Sequence, residues 1–197
     1  AEGYKTTASG NYSHAEGLST MASGFSSHAE GESTTASGYD SHAEGGRVIA
    51  YGSYSHAEGY NSYAKGTYSH AEGDNTYATG DYGSHAEGMS TTASGYASHA
   101  EGARTTASGW YSHAEGNYTY AIGNSSHAEG KGTIASSDSQ HVQGKYNIED
   151  TENKYAHIVG NGKYDYSTLT AVRSNAHTLD WKGNAWYQGK LSQDGTP

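Results

Sequence analysis

The sequence predicts an all-β solenoid, a flattened parallel β-roll wound in 14-residue coils, and three observations predict it. Ten histidines recur on a fixed beat: His14, His28, His42, His56, His70, His85, His99, His113, His127 and His141. Their spacing is 14 residues, broken once by a 15 between His70 and His85, where Gly83 reads as the extra residue. Nine lie in Ser-His-Ala-Glu-Gly, and the last is worn down to Gln140-His141-Val142-Gln143-Gly144. A second motif, Thr-x-Ala-Ser-Gly, fills the other half of each period. It ends as Ala8-Ser9-Gly10, Ala22-Ser23-Gly24, Ala36-Ser37-Gly38, Ala93-Ser94-Gly95 and Ala107-Ser108-Gly109, with looser copies at Ala50, Ala64, Ala78 and Ala121.

Each half-period is a short segment closed by glycine, which suits a strand followed by a turn in which glycine takes the left-handed conformation. Two strands and two turns then complete one coil. Alternation along a strand assigns the faces. The central alanines, such as Ala15, Ala22, Ala29 and Ala36, point into a roll interior where nothing larger fits. Histidine and glutamate of the first strand consequently share the opposite face, a column of His14, Glu16, His28, Glu30, His42, Glu44, His56, Glu58, His70, Glu72, His85, Glu87, His99, Glu101, His113, Glu115, His127, Glu129 and His141. The outer face of the second strand carries Thr7, Met21, Thr35, Ile49, Tyr63, Tyr77, Thr92, Thr106, Tyr120 and Ile134. One face barely varies while the other varies freely. Monotony is what packing against symmetry copies demands, so the His/Glu column is expected on an oligomer axis.

Composition supports a rod that needs partners. Apolar residues make up only 32% of the chain, with 28 Gly, a single Phe and 19 Tyr. So little apolar surface would ordinarily leave a chain disordered, but a disordered tract has no need of alanine at a fixed phase. Oligomerisation supplies the missing burial. A net charge of −10 opposes nucleic acid or an anionic membrane as partner, and no apolar run is long enough to span a bilayer. The absence of cysteine removes disulfides and thiolate zinc sites, and Pro197 as the only proline excludes collagen. The opening Ala1-Glu2-Gly3 is the tail of a broken repeat, so the chain is expected to be a fragment.

The paired motif Ser-His-Ala-Glu-Gly-x-x-Thr-x-Ala-Ser-Gly, sustained over residues 1–144, resembles the head repeats of YadA-like trimeric autotransporter adhesins. The resemblance implies a left-handed β-roll that trimerises side by side. Where that family places Val and Ile on the trimer axis, this chain has His and Glu. The His/Glu version looks like repeats in tail-fibre proteins of phages of Gram-positive bacteria. A homotrimeric fibre segment is therefore expected, in a virion tail or on a cell surface, serving as a spacer and a possible receptor surface for bacterial or host polysaccharide.

Imidazole and carboxylate in every layer suit a hydrogen-bonded register ladder, or alternatively a transition metal. The ladder is the expected role, with no metal and no cofactor, because ten identical layers would mean ten ions. Such an axis responds to pH, and histidines beside glutamates are expected to titrate above their ordinary value, the alternative being that burial dominates and lowers them. No catalytic residue is expected, since no Gly-x-Ser-x-Gly elbow occurs and Ser13 and His14 point to opposite faces. Aromatics in the turn before each Ser-His (Tyr12, Phe25, Tyr39, Tyr54, Tyr68, Tyr82, Tyr96, Trp110 with Tyr111) are expected to lap over adjacent chains, with sugar stacking as the alternative. The threonine column (Thr20, Thr34, Thr91, Thr105, Thr119, Thr133) is expected to supply turn hydrogen bonds rather than bind ice. Receptor contact is expected at Tyr51, Tyr63 and Tyr77, where large residues interrupt the Thr/Ser pattern of a polar rod.

After Gly144 the beat stops. Residues 145–197 are expected to form a separate β cap with a hairpin around Lys182-Gly183-Asn184 and a small core of Ile158, Leu179, Trp181 and Trp186. The string from His157 to Trp186 looks like a segment near the C-termini of Gram-positive phage tail proteins. Some of these continue into a self-cleaving intramolecular chaperone, which leaves processing of a tail-spike as a second functional reading.

Overall fold

The computed structural model describes residues 1–189, and the end of the expected C-terminal region, 190–197, lies outside them. The described chain is all β, with no helix, and winds as a solenoid of about eleven coils. A fourteen-stranded sheet carries the His-Ala-Glu-Gly strands, from Glu2–Tyr4 through His14–Leu18 to His141–Lys145. A ten-stranded sheet carries the two-residue strands Thr7–Ala8, Met21–Ala22 and onward to Ile134–Ala135. All of these pair in parallel with a register equal to the repeat, so His14 lies beside His28, Ala15 beside Ala29 and Glu16 beside Glu30. Identical side chains thus form columns along the rod. Across the 15-residue period the register is kept, His70 against His85. Gly83 is spliced out into open space at φ +86°.

The interior is as narrow as the alanines imply, with Ala15 through Ala135 fully buried. It admits more than alanine, however. The serine before each histidine also points inward, and Ser27, Ser41 and Ser55 each donate to the carbonyl of Gly24, Gly38 and Gly52. The threonines point inward as well. Thr133 Oγ1 donates to the Glu129 carbonyl at 3.1 Å as expected, but Thr20, Thr34, Thr76, Thr91, Thr105 and Thr119 are buried with no partner for Oγ1. Val48 stands fully buried in the same column. The column thus accepts valine in place of threonine, so at most of its positions the volume is used and the hydroxyl is not.

The turns also differ from expectation in one respect. The glycine of Ser-His-Ala-Glu-Gly does adopt positive φ, as at Gly31 (φ +106°). The glycine of Ala-Ser-Gly does not: at Gly24 the requirement is space, because a Cβ would lie 1.9 Å from the Gly38 carbonyl oxygen. The left-handed turn positions are held by non-glycine residues, among them Ser33 (φ 58°) and Tyr54 (φ 58°). Such a residue costs about 1–2 kcal/mol in that conformation. Here each is offset by an inter-coil bond, Ser33 N–H to Leu18 C=O at 2.8 Å and Tyr54 N–H to Tyr39 C=O at 2.7 Å.

The beat does not stop at Gly144. Tyr155–Asn161 pairs in parallel with His141–Lys145, placing His157 on His141, Ile158 on Val142 and Gly160 on Gly144. The intervening residues close on themselves around Asp150, whose carboxylate accepts from Gln140 Nε2 and the Lys154 and Tyr155 amides. Where the ten-stranded sheet ends, the Asn147 carboxamide accepts from the Ile134 N–H and donates to its C=O, as a next strand would. Asn175–Asp180 and Ala185–Tyr187 then add antiparallel strands, with the hairpin turn at Lys182-Gly183-Asn184 as expected. The tryptophan core does not form. Ile158 is buried in line with the roll interior, whereas Trp181 and Trp186 are 48% and 55% exposed.

Candidate functional site

The in-register pairing turns the His/Glu column into two adjacent ladders on one sheet face. From His14 to His141 successive imidazoles stack with ring centroids 4.7 to 5.1 Å apart and planes within 16°. His157 and His177 extend the column, tilted, at 5.1 and 5.5 Å. His177 escaped the sequence reading because it lies on an antiparallel strand outside the repeat, and His157 because Ile158 and Val159 replace Ala-Glu. The surviving signal was His-x-x-Gly.

Each imidazole lies between carboxylates of neighbouring coils. In the first half of the rod the nearer one belongs to the same coil, as in His42–Glu44 at 3.8 Å, His70–Glu72 at 3.6 Å and His85–Glu87 at 3.7 Å. Further along it belongs to the preceding coil, as in His113–Glu101 at 3.6 Å and His127–Glu115 at 3.9 Å. Only at His141–Glu129, 3.3 Å apart, does the contact reach hydrogen-bonding distance. Nε2 of His28, His42, His56, His70, His85, His99, His113 and His127 is sealed from solvent without a hydrogen-bond partner in the chain. The pairs themselves remain about a third exposed, Glu72 at 35% and Glu87 at 32%.

Stacking like charges every coil forces the carboxylates to share protons. Desolvation, together with hydrogen bonds to Glu87 and Glu58, pushes Glu72 up to about 7. Hydrogen bonds to Glu115 and Glu87, with desolvation, push Glu101 up to about 7. Their neighbours move the other way. Glu58, Glu87 and Glu115 are held below the usual carboxylate value, chiefly by hydrogen bonds from Glu44, Glu101 and Glu101 respectively. From Glu58 to Glu115, lowered and raised carboxyl groups alternate. The histidines depart from the expected upward shift: burial, then the neighbouring imidazoles, pushes His85, His113 and His157 down. Glu87 beside His85 and Glu115 beside His113 oppose this, but less than burial and the stacked imidazoles favour it.

On the opposite sheet the three tyrosines singled out from the sequence converge. Tyr63 and Tyr77 stack at 5.2 Å with planes 8° apart. With Ile49, Tyr51, Lys65 and Thr79 they line an open cleft of about 440 Å³. A second aromatic cleft of about 430 Å³, lined by Tyr118, Tyr120, Tyr146, Tyr164, Lys131 and Arg173 among others, lies where the last coils meet the following strands. Sequence reading missed it because Tyr164 and Arg173 arrive from beyond the repeats. The turn aromatics stack on one another along one edge, Phe25 on Tyr39 and Tyr54 on Tyr68 both at 5.0 Å, and remain exposed.

The arrangement offers no hydrolytic dyad. Each serine Oγ is tied to a glycine carbonyl inside the roll, while the following imidazole lies on the other face. Arg173 donates to the Gly132 and Asn147 carbonyls. No helix among the described residues is long and apolar enough to cross a membrane.

No curated protein matches the chain. The YadA head domain repeat, a unit of two copies, matches residues 1–27, 15–41, 29–55, 57–82, 86–112 and 114–136. Those matches span well over half of the sequence in the same phase as the coils, and the chain belongs to the YadA head repeat family.

Proposed function

We propose that this chain is a rigid segment of a homotrimeric surface fibre, with the His/Glu face on the threefold axis and host polysaccharide bound at the Tyr51, Tyr63 and Tyr77 cleft. The family is structural and adhesive rather than catalytic, its heads are trimeric in general, and it is displayed outside the cell or at its surface. The observation that carries the trimer is the contrast between faces. Nine Ser-His-Ala-Glu-Gly units repeat unchanged on one partly exposed sheet face, whereas the other sheet changes from coil to coil. A face that repeats without change is suited to pack against copies of itself.

The rod would be about 50 Å long for ten coils. The strands after Gly144 close its growing end, supported by the Asn147 contacts with Ile134 and the switch from parallel to antiparallel pairing. The fibre belongs to a phage tail or a bacterial adhesin, and genes for baseplate or holin proteins beside its own would decide for the phage. Sedimentation velocity at micromolar concentration tests the assembly: a single species of three chains is expected, and a folded monomer would overturn the reading.

A further inference from the structure

The geometry points to a binding site for a first-row dication of the zinc or nickel class at the middle of the His/Glu ladder, centred on His85. In two successive triads, His70–Glu72–His85 and His85–Glu87–His99, one ligand atom from each residue lies within 4.8 Å of the other two. Two imidazoles and one carboxylate form a donor set for such ions, while magnesium and calcium prefer oxygen alone. Zinc–nitrogen and zinc–oxygen bonds of about 2.0–2.2 Å place tetrahedral ligand atoms about 3.4 Å apart. The 3.6 and 3.7 Å separations at His70–Glu72 and His85–Glu87 fall within a few tenths of an ångström of that, and are too long for good hydrogen bonds. The second observation is independent of spacing: Nε2 of His70, His85 and His99 is sealed from water with no partner in the chain. A buried ring nitrogen left unsatisfied is costly in water-free surroundings, and a metal ion satisfies it. The carboxylates are still about a third exposed, which leaves the ion a way in.

Stoichiometry follows from chemistry. A neutral imidazole has one lone pair for a metal, carried by a single ring nitrogen. The two triads share His85 Nε2 and so take one ion between them. Other groups of the ladder, such as Glu16–His28–Glu30 and Glu30–His42–Glu44, offer one imidazole and two carboxylates, a harder set that holds such an ion less tightly. The number of tight sites is therefore far below the number of coils. All three ligands come from one chain, so the site does not depend on the trimer.

The test uses the tag-free chain of residues 1–197, stripped with chelator and titrated calorimetrically with zinc, nickel and magnesium chloride. One tight zinc or nickel ion per chain is expected, with no saturable magnesium binding. His85→Gln should weaken zinc binding by at least about a hundredfold, whereas His28→Gln should bind as the parent does. Absence of saturable zinc binding in the parent overturns the proposal, as does unchanged binding by a folded His85→Gln chain. If His85→Gln fails to fold by circular dichroism, cobalt(II) replaces it as the readout. Strong visible absorption of a four- or five-coordinate nitrogen–oxygen site in the parent supports the proposal, and the weak spectrum of the aquo ion overturns it. Sedimentation in chelator reads the trimer separately: a metal-free trimer that binds no zinc sinks only the metal site, and a zinc-binding monomer sinks only the trimer.

Discussion

A buried threonine without a hydrogen bond shows what this roll asks of single residues. Thr91 and Thr105 are fully buried, and neither Oγ1 finds a partner. Leaving a buried hydroxyl unsatisfied costs about 1–3 kcal/mol. Valine keeps the volume and the β-branch without the polar atom, and the chain already places Val48 in this column. Thr91→Val and Thr105→Val should each raise the melting temperature, by an amount equivalent to about 1 kcal/mol. A fall of similar size in thermal melts would mean that the hydroxyls have a role the fold does not display. The glycines make the complementary point. Gly24 is needed because the next coil's carbonyl occupies the Cβ position, and Gly31 is needed for its φ as well. Both read as turn glycines in the sequence, where only the presence of glycine is visible.

At the scale of the ladder, titration couples neighbouring elements. Glu72 and Glu101, raised to about 7 in the folded chain, add stability that is complete below their ordinary value of 4.5 and is lost as pH rises through 7. Glu58, Glu87 and Glu115, lowered, add stability above 4.5 that is lost as pH falls through their depressed values. His85, His113 and His157, lowered from 6.5, do the same on the acid side of that value. In chelator-treated protein the melting temperature should therefore peak at about pH 6–7, fall steeply towards acid and decline more gently above neutrality. Partial exposure screens the amplitude. A melting temperature that climbs steadily to pH 9 would show that Glu72 and Glu101 do not hold shared protons.

For the whole molecule, the proposed function assigns assembly to one sheet and recognition to the other. The His/Glu sheet repeats without variation, as a symmetry contact must, and the outer sheet concentrates its large residues in coils between Val48 and Thr79. Tyr51→Ala, Tyr63→Ala and Tyr77→Ala combined should weaken binding to host cell-wall polysaccharide while leaving the melting temperature and the sedimentation coefficient near the parent values. In the proposed trimer three copies of the cleft magnify even a weak contact, so the loss should be larger on cells than on isolated oligosaccharide. Unchanged cell binding would leave these coils a spacer.

The sequence by itself determined the coil, its period, the alanine interior and the sharing of one face by histidine and glutamate, because a parallel register equal to the repeat follows from identical residues at identical phase. It also located the Tyr51, Tyr63 and Tyr77 cluster, since residues one period apart must be neighbours. It did not reveal that Tyr155–Asn161 continues the same sheet, because the spacing lengthens to 16 residues and Ala-Glu gives way to Ile158-Val159. Nor did it reveal that Trp181 and Trp186 stay exposed, since no local pattern reports what lies over a strand's face. Only the tertiary structure decided the direction of the histidine shifts. Sequence counts one glutamate per histidine and so suggests an ion pair. Stacking places imidazole on imidazole and partly buries each ring, and at His85 and His113 burial and the neighbouring rings outweigh the adjacent carboxylate.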